Sequence, residues 1–338
     1  MLGLPTTAAT LPSLVVAADW GTDERKRWMA RAVLDDGQTY QVYPPEPVGD
    51  QGTLPDRLWA QAPPGAVVLG VDFPIGLPRI YAERCGFASF RKALEEIGRG
   101  DFRYFFDVSD QPTIEKPFYP PPTGKKGEYT RARLARSLGV NSLSEMLRRC
   151  DQRTVDRPAA ECLFFTLGGK QVGRAAIDGW ANLIQPWRDR VGLWPFDGEF
   201  GELIEQEEIV IAEIYPAEGY RHLGFEMGAG TGLSKRRREH RRTVAPKLLA
   251  CDGPSTHISH AAKSWIEWGF ASEDDFDAMV GLLSMLRVVT GRRSADTPED
   301  EAVRHVEGWI LGQDVTPHST AVLTRRPSPQ LSRPVSGG

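Results

Sequence analysis

No run in this chain approaches the roughly 20 apolar residues that a membrane-spanning helix needs, so no membrane partner is expected. Cysteine is scarce. Cys85, Cys150, Cys162 and Cys251 are widely spaced with no CxxC, which argues against a zinc knuckle and a disulfide framework and fits a reducing cytoplasm. The six histidines fall in no ligand pattern. Positive charge has no surplus either. At a net charge of −4, nucleic acid is not announced globally and would need a local basic patch. The opening MLGLPTTAATLPS lacks a basic stretch and an apolar core, so no signal peptide is expected. What remains is ordinary globular material: 338 residues, 41% hydrophobic and 25% charged, enough for a large core with an insertion.

The organising stretch is Leu14–Thr22, LVVAADWGT, an apolar strand running into Asp19 and a Trp-Gly-Thr turn. RWMARAVLDDG and TYQVYPP read as two further strands joined by turn residues, LPDRLWAQA as a short helix, and Ala66–Asp72 as a fourth strand. The order is therefore β-β-β-α-β. From 79 to 201 the texture changes to helical spacing broken by Gly and Pro: FRKALEEIG, EYTRARLARSLG, LSEMLRRCD, AAECLFFTLG and RAAIDGWANLIQPWR. This predicts a mostly helical insertion beside the site. Glu208–Tyr215 returns to strand, KSWIEWGF reads as a helix, and SEDDFDAMVGLLSMLRVVTG is a helix capped by Ser272 and ended by Gly291. The expected plan is an α/β core at 14–78 and 202–314, an insertion at 79–201, a loose lead-in at 1–13 and a disordered tail at 315–338.

Three strand ends carry an acid: Asp19, Asp72 in VVLGVDFPIGLP and Glu213 in EIVIAEIYPAE. An unpaired carboxylate at the end of a buried strand is costly to desolvate, so it should be coordinated, paired or at an opening. On the last helix Asp274 and Asp277 lie three residues apart, and Asp277 borders the apolar stripe Phe276, Met279, Val280 and Leu283. Gly281 and Ser284 beside it would let the helix approach a strand closely. Asp274 and Asp275 also suit the helix N-terminus, and Glu213 shares the face of Ile209 and Ile211, where it would need a partner such as an arginine. Carboxylates that converge repel one another unless a divalent cation intervenes. Asp19, Asp72 and Asp277 are the expected ligands of Mg²⁺ or Mn²⁺, with Asp274 and Glu213 assisting. Two such ions about 4 Å apart can activate water for phosphodiester cleavage without a catalytic His or Cys.

The densest charge run, LSKRRREHRRTVAPKLL, contains Lys235, Arg236, Arg237, Arg238, Arg241, Arg242 and Lys247 on a segment of helical character. It is either a phosphate-binding surface or a solvated face pairing with acids such as Glu202, Glu205 and Glu207. Lys125 and Lys126, in the Pro-rich loop PFYPPPTGKKGEY, offer a second phosphate contact.

VAADW, GVDFPIGLP, AEIYPAEGYRHLG followed by LSKRRREHRR, the DDFDAMVGLL helix and VEGWILG together resemble the DUF429 family of predicted ribonuclease H-like nucleases. The resemblance spans most of 14–312, loosely across the insertion. It implies a ribonuclease H-like mixed sheet flanked by helices and a metal-dependent nuclease acting on nucleic acid. The Asp274–Asp277 pair resembles the RuvC-type arrangement of that superfamily, although Asp72 stands where RuvC-type enzymes have Glu. Two alternatives share the same core. One is a catalytically inactive module that binds nucleic acid or another partner. The other is an actin-like-fold phosphotransferase using the Asp19-Trp20-Gly21-Thr22 turn, for which no later DxGG loop is found.

Overall fold

The computed structural model describes residues 10–120, 130–153, 157–167, 172–228 and 230–315. Lys125 and Lys126, most of the lead-in and the tail beyond Val315 lie outside the described residues. Eight strands form one mixed sheet: β1 (Leu14–Asp19), β2 (Trp28–Asp35), β3 (Thr39–Val42), β4 (Glu46–Pro47), β5 (Val67–Val71), β6 (Gly192–Leu193), β7 (Ile209–Glu213) and β8 (Thr256–Ile258). Their spatial order is β6-β7-β5-β1-β2-β3-β8, with the short β4 also on β2. Only β2 runs against the others. The β2–β3 turn falls where expected, with Asp36 and Gly37 both at positive φ.

Helices flank both faces: α1 (Leu54–Gln61), α2 (Arg79–Cys85), α3 (Phe90–Glu96), α4 (Arg131–Ser137), α5 (Val172–Gly179), α6 (Gln185–Trp187), α7 (Phe200–Gln206), α8 (Pro216–His222), α9 (Arg238–Leu249), α10 (His260–Trp268) and α11 (Glu273–Val289). The strands are buried on both sides and sort their side chains by alternation. Leu14, Val16 and Ala18 of β1, with Val67, Leu69 and Val71 of β5, pack against α1 and the insertion helices in one core. Val15 and Ala17, with Val68, Val210 and Ala212, pack against α8 to α11 in the other. Residues 79–201 thus cover one face of the sheet and also supply its edge strand β6.

Helix α11 is the spine of the second layer, buried from Asp275 to Leu286. Ser272 caps it, accepting from the Asp274 and Asp275 amides, while the Asp275 carboxylate accepts back from the Ser272 amide. Glycines let it lie close to the sheet. A Cβ on Gly281 would meet Ala17 of β1 and Ile214, and one on Gly70 of β5 would collide with Met285.

Two expected helices of the insertion are absent. LSEMLRRCD forms two single 3₁₀ turns, Leu143–Met146 and Arg149–Asp151, because Arg148 leaves helical geometry to reach the core. Of AAECLFFTLG, residues 159–167 are non-helical: the Phe165 backbone bridges Tyr119, and Phe164 packs on Tyr81 and Phe118.

Candidate metal centre

Strands β1 and β5 are parallel neighbours, so Asp19 and Asp72 emerge side by side at their carboxyl ends, where the Asp72 amide donates to the Ala18 carbonyl (3.1 Å). By alternation Asp19 continues the Val15–Ala17 face and Asp72 the Val68–Gly70 face, both toward α11. The turn after Asp19 is fixed from behind. The buried Arg27 donates to the Gly21 carbonyl (2.7 Å) and pairs with Asp178 (2.9 Å), which also accepts from the Trp20 indole (2.9 Å). Neither the Asp19 nor the Asp72 carboxylate has a hydrogen-bond donor or ion-pair partner among the described residues, and their oxygens keep contact with solvent. Burial raises the Asp19 carboxyl well above its usual range, with Asp277 and Asp72 adding to the shift. Asp72 is pushed up to about 7, by burial first and Asp277 next, against the pull of Lys235.

Asp277 reaches the same opening from the second turn of α11. It is 2% exposed and held by two donors, the Tyr220 hydroxyl of α8 and the Lys235 ammonium. Lys235 reaches it because the basic run is not helical throughout: α9 begins only at Arg238, and the preceding loop folds Lys235 back over α11. Burial alone would lower the pKa of this ammonium, but Asp277, Asp19 and Asp72 together hold it above its ordinary value. Asp274 sits at the rim, half-buried, its carboxyl raised by burial and by Glu273 and opposed by Lys235. Asp275 belongs to the cap, accepting from the Trp265 indole and the Ala271 amide (2.8 Å each).

Glu213 does not join this group. Its alternation with Ile209 and Ile211 turns it toward the insertion layer, where Arg148 binds it through two guanidinium nitrogens (2.6 and 2.7 Å). The same arginine binds Asp151 (2.8 and 3.0 Å) and the Ile75 and Glu307 carbonyls, and Glu213 also accepts from the Ile75 amide (2.7 Å). All of this is buried. Cys150, Asp151 and Glu213 place their ligand atoms within 4.8 Å of one another, the only such trio among the described residues. Arg148 already supplies the positive charge there, and burial raises the Cys150 thiol well above its usual value, so the trio is a poor cation site.

The ligand atoms of Asp19, Asp72 and Asp277 do not all lie within 4.8 Å of one another. Their chemistry nonetheless fits a hard cation: all-oxygen donors at an opening where water can complete the shell.

The basic run divides by role. Arg241 is 3% exposed and donates to the Gly269 and Phe270 carbonyls, so it is a packing residue, unlike the expected phosphate contact. Arg236 lies 3.6 Å from Glu273. Arg237, Arg238, Arg242 and Lys247 are exposed and form no ion pair among the described residues. The pairing with Glu202, Glu205 and Glu207 is not found among the described residues. Tyr220 and Arg148 escape the sequence pattern. The first is signalled only by the Gly-Tyr step after EIYPAE, and the second by nothing nearby in the chain. Compared with known proteins, the chain matches no family model, no curated protein and no solved structure.

Proposed function

We propose that the chain is a ribonuclease H-like, DUF429-type phosphodiester hydrolase that acts on nucleic acid with one Mg²⁺ or Mn²⁺ held by Asp19, Asp72 and Asp277. The observation that carries this reading is the pair of carboxylates, Asp19 and Asp72, left without donors at adjacent parallel strand ends and facing Asp277. A fold keeps partly buried carboxylates in that state at a cost, and a hard cation removes the cost. The strand order supports the fold assignment: an antiparallel β1-β2-β3 meander, a helix, then β5 returning beside β1, with a late acidic helix across the pair.

When bound, the cation supplies Lewis-acid activation of the phosphodiester and its attacking water. The chain's residues do the rest. Tyr220 fixes the rotamer of Asp277, Arg27 fixes the turn behind Asp19, and Lys235 presents a positive charge where phosphate oxygens would enter.

Calorimetric titration of Mn²⁺ tests the reading. Wild type is expected to bind about one ion saturably, and the Asp19→Asn/Asp277→Asn double variant none. Mn²⁺-dependent cleavage of labelled DNA and RNA, lost in the same variant, would complete it. No binding to wild type at millimolar Mn²⁺ would overturn it in favour of a metal-free binding module.

A further inference from the structure

We propose that the exposed face around Trp268, where α9 meets α10, is a stacking platform for single-stranded nucleic acid. The proposal rests on the nuclease reading only for its link to cleavage, and names the strand form that the site would receive.

Trp268 is the last residue of α10 and is 48% exposed, one of three large exposed hydrophobic side chains among the described residues. The Arg238 guanidinium lies over its ring, 3.9 Å from the centroid. Arg242, one helical turn on, joins them: a Cβ on Gly269, at positive φ, would collide with the stems of both arginines. Arg238 and Arg242 are like charges at i,i+4, an unfavourable spacing on a free helix, and Arg237 adds a third. None has an acidic partner among the described residues. Behind them Arg241 ties α9 to the end of α10 through the Gly269 and Phe270 carbonyls, which holds the patch in place.

A half-exposed indole, with the Arg238 guanidinium over its ring and the Trp265 ring 6.2 Å away, stands beside two further uncompensated arginines on the same segment and suits a polyanion that also presents flat faces. Single strands do so; in a duplex the base faces are already stacked on one another. The patch continues into the candidate metal centre along the same segment. Arg236 lies beside Glu273 at the start of α11, and Lys235 contacts Asp277. A strand stacked on Trp268 and followed along 238–235 would therefore arrive at Asp19, Asp72 and Asp277.

Fluorescence anisotropy on the full chain in EDTA tests the platform without metal, using a labelled oligothymidylate of about 20 nucleotides and a duplex of equal length. Wild type is expected to prefer the single strand. Trp268→Ala should weaken that binding about tenfold, and Trp268→Phe should retain most of it. Arg242→Gln should lower the log–log salt slope by about one. Equal or tighter duplex binding, or single-strand binding and salt slope untouched by all three substitutions, would overturn the platform. Either result leaves Mn²⁺ binding unaffected, so this failure is separable from failure of the metal reading.

Discussion

Two clusters of buried charge lie at the carboxyl ends of neighbouring strands, and they are finished differently. Around Arg148 every carboxylate oxygen of Glu213 and Asp151 has a guanidinium donor, and the Ile75 amide and Glu307 carbonyl close the rest. Around Asp277 one ammonium and one hydroxyl serve a single aspartate, while Asp19 and Asp72 have no donor among the described residues. The first cluster ties the insertion layer to the core. It passes through DFPIGLP and VEGWILG, where Gly76 and Gly308, both at positive φ, allow backbones to touch that any Cβ would separate. Residual binding capacity, more than acidity or burial, distinguishes the second cluster from the first, and it is what the proposed metal reading rests on.

The largest effect expected from breaking this contrast is at Arg148. Arg148→Met leaves Glu213 and Asp151 buried without a countercharge and should cost about 3–5 kcal/mol, read as a lower denaturation midpoint. Asp277→Asn should cost far less, because its neighbours already carry uncompensated charge. Equal losses would mean that both clusters are structural.

Lys235 sharpens the comparison next. Among the described residues it is the cation that pairs with Asp277, and it competes with an incoming ion for the same carboxylates. Lys235→Met is expected to tighten Mn²⁺ binding about tenfold or more and to lower the melting temperature in metal-free buffer, with Mn²⁺ restoring it. Weaker Mn²⁺ binding in the variant would show that Lys235 supports the site instead of standing in for a cation.

The parts legible in the sequence are those encoded locally. The apolar runs ending in Asp19 and Asp72, the Ser272 cap and the small residues beside Asp277 each declare themselves within a few positions. Even the face of Glu213 follows from its alternation with Ile209 and Ile211. Its partner does not, because Arg148 lies 65 residues away in a segment whose spacing mimics a helix. The basic run misleads for a related reason. Its cations look equivalent, yet the start of α9 at Arg238 sends Lys235 to Asp277, and helical phase buries Arg241 while exposing Arg238 and Arg242. CLFF reads as helix by spacing, but its aromatics are spent on filling the insertion core.

The smallest effect separates the clusters by pH. Burial, then Asp277, pushes the Asp72 carboxyl up to about 7, whereas an unfolded aspartate titrates near about 4. The folded chain therefore holds the proton more tightly than the unfolded chain. The stability this provides is complete below about pH 4 and is lost as pH rises through about 7. Asparagine mimics the protonated acid and cannot titrate. Asp72→Asn should thus raise the melting temperature by about 2–4 °C over wild type at pH 8 in EDTA and leave it nearly unchanged at pH 4. Calorimetric scans at the two pH values read the difference directly. A loss of stability at pH 8 would mean that donors hold the charged form of Asp72 as firmly as Arg148 holds Glu213, and the distinction between the two clusters would disappear.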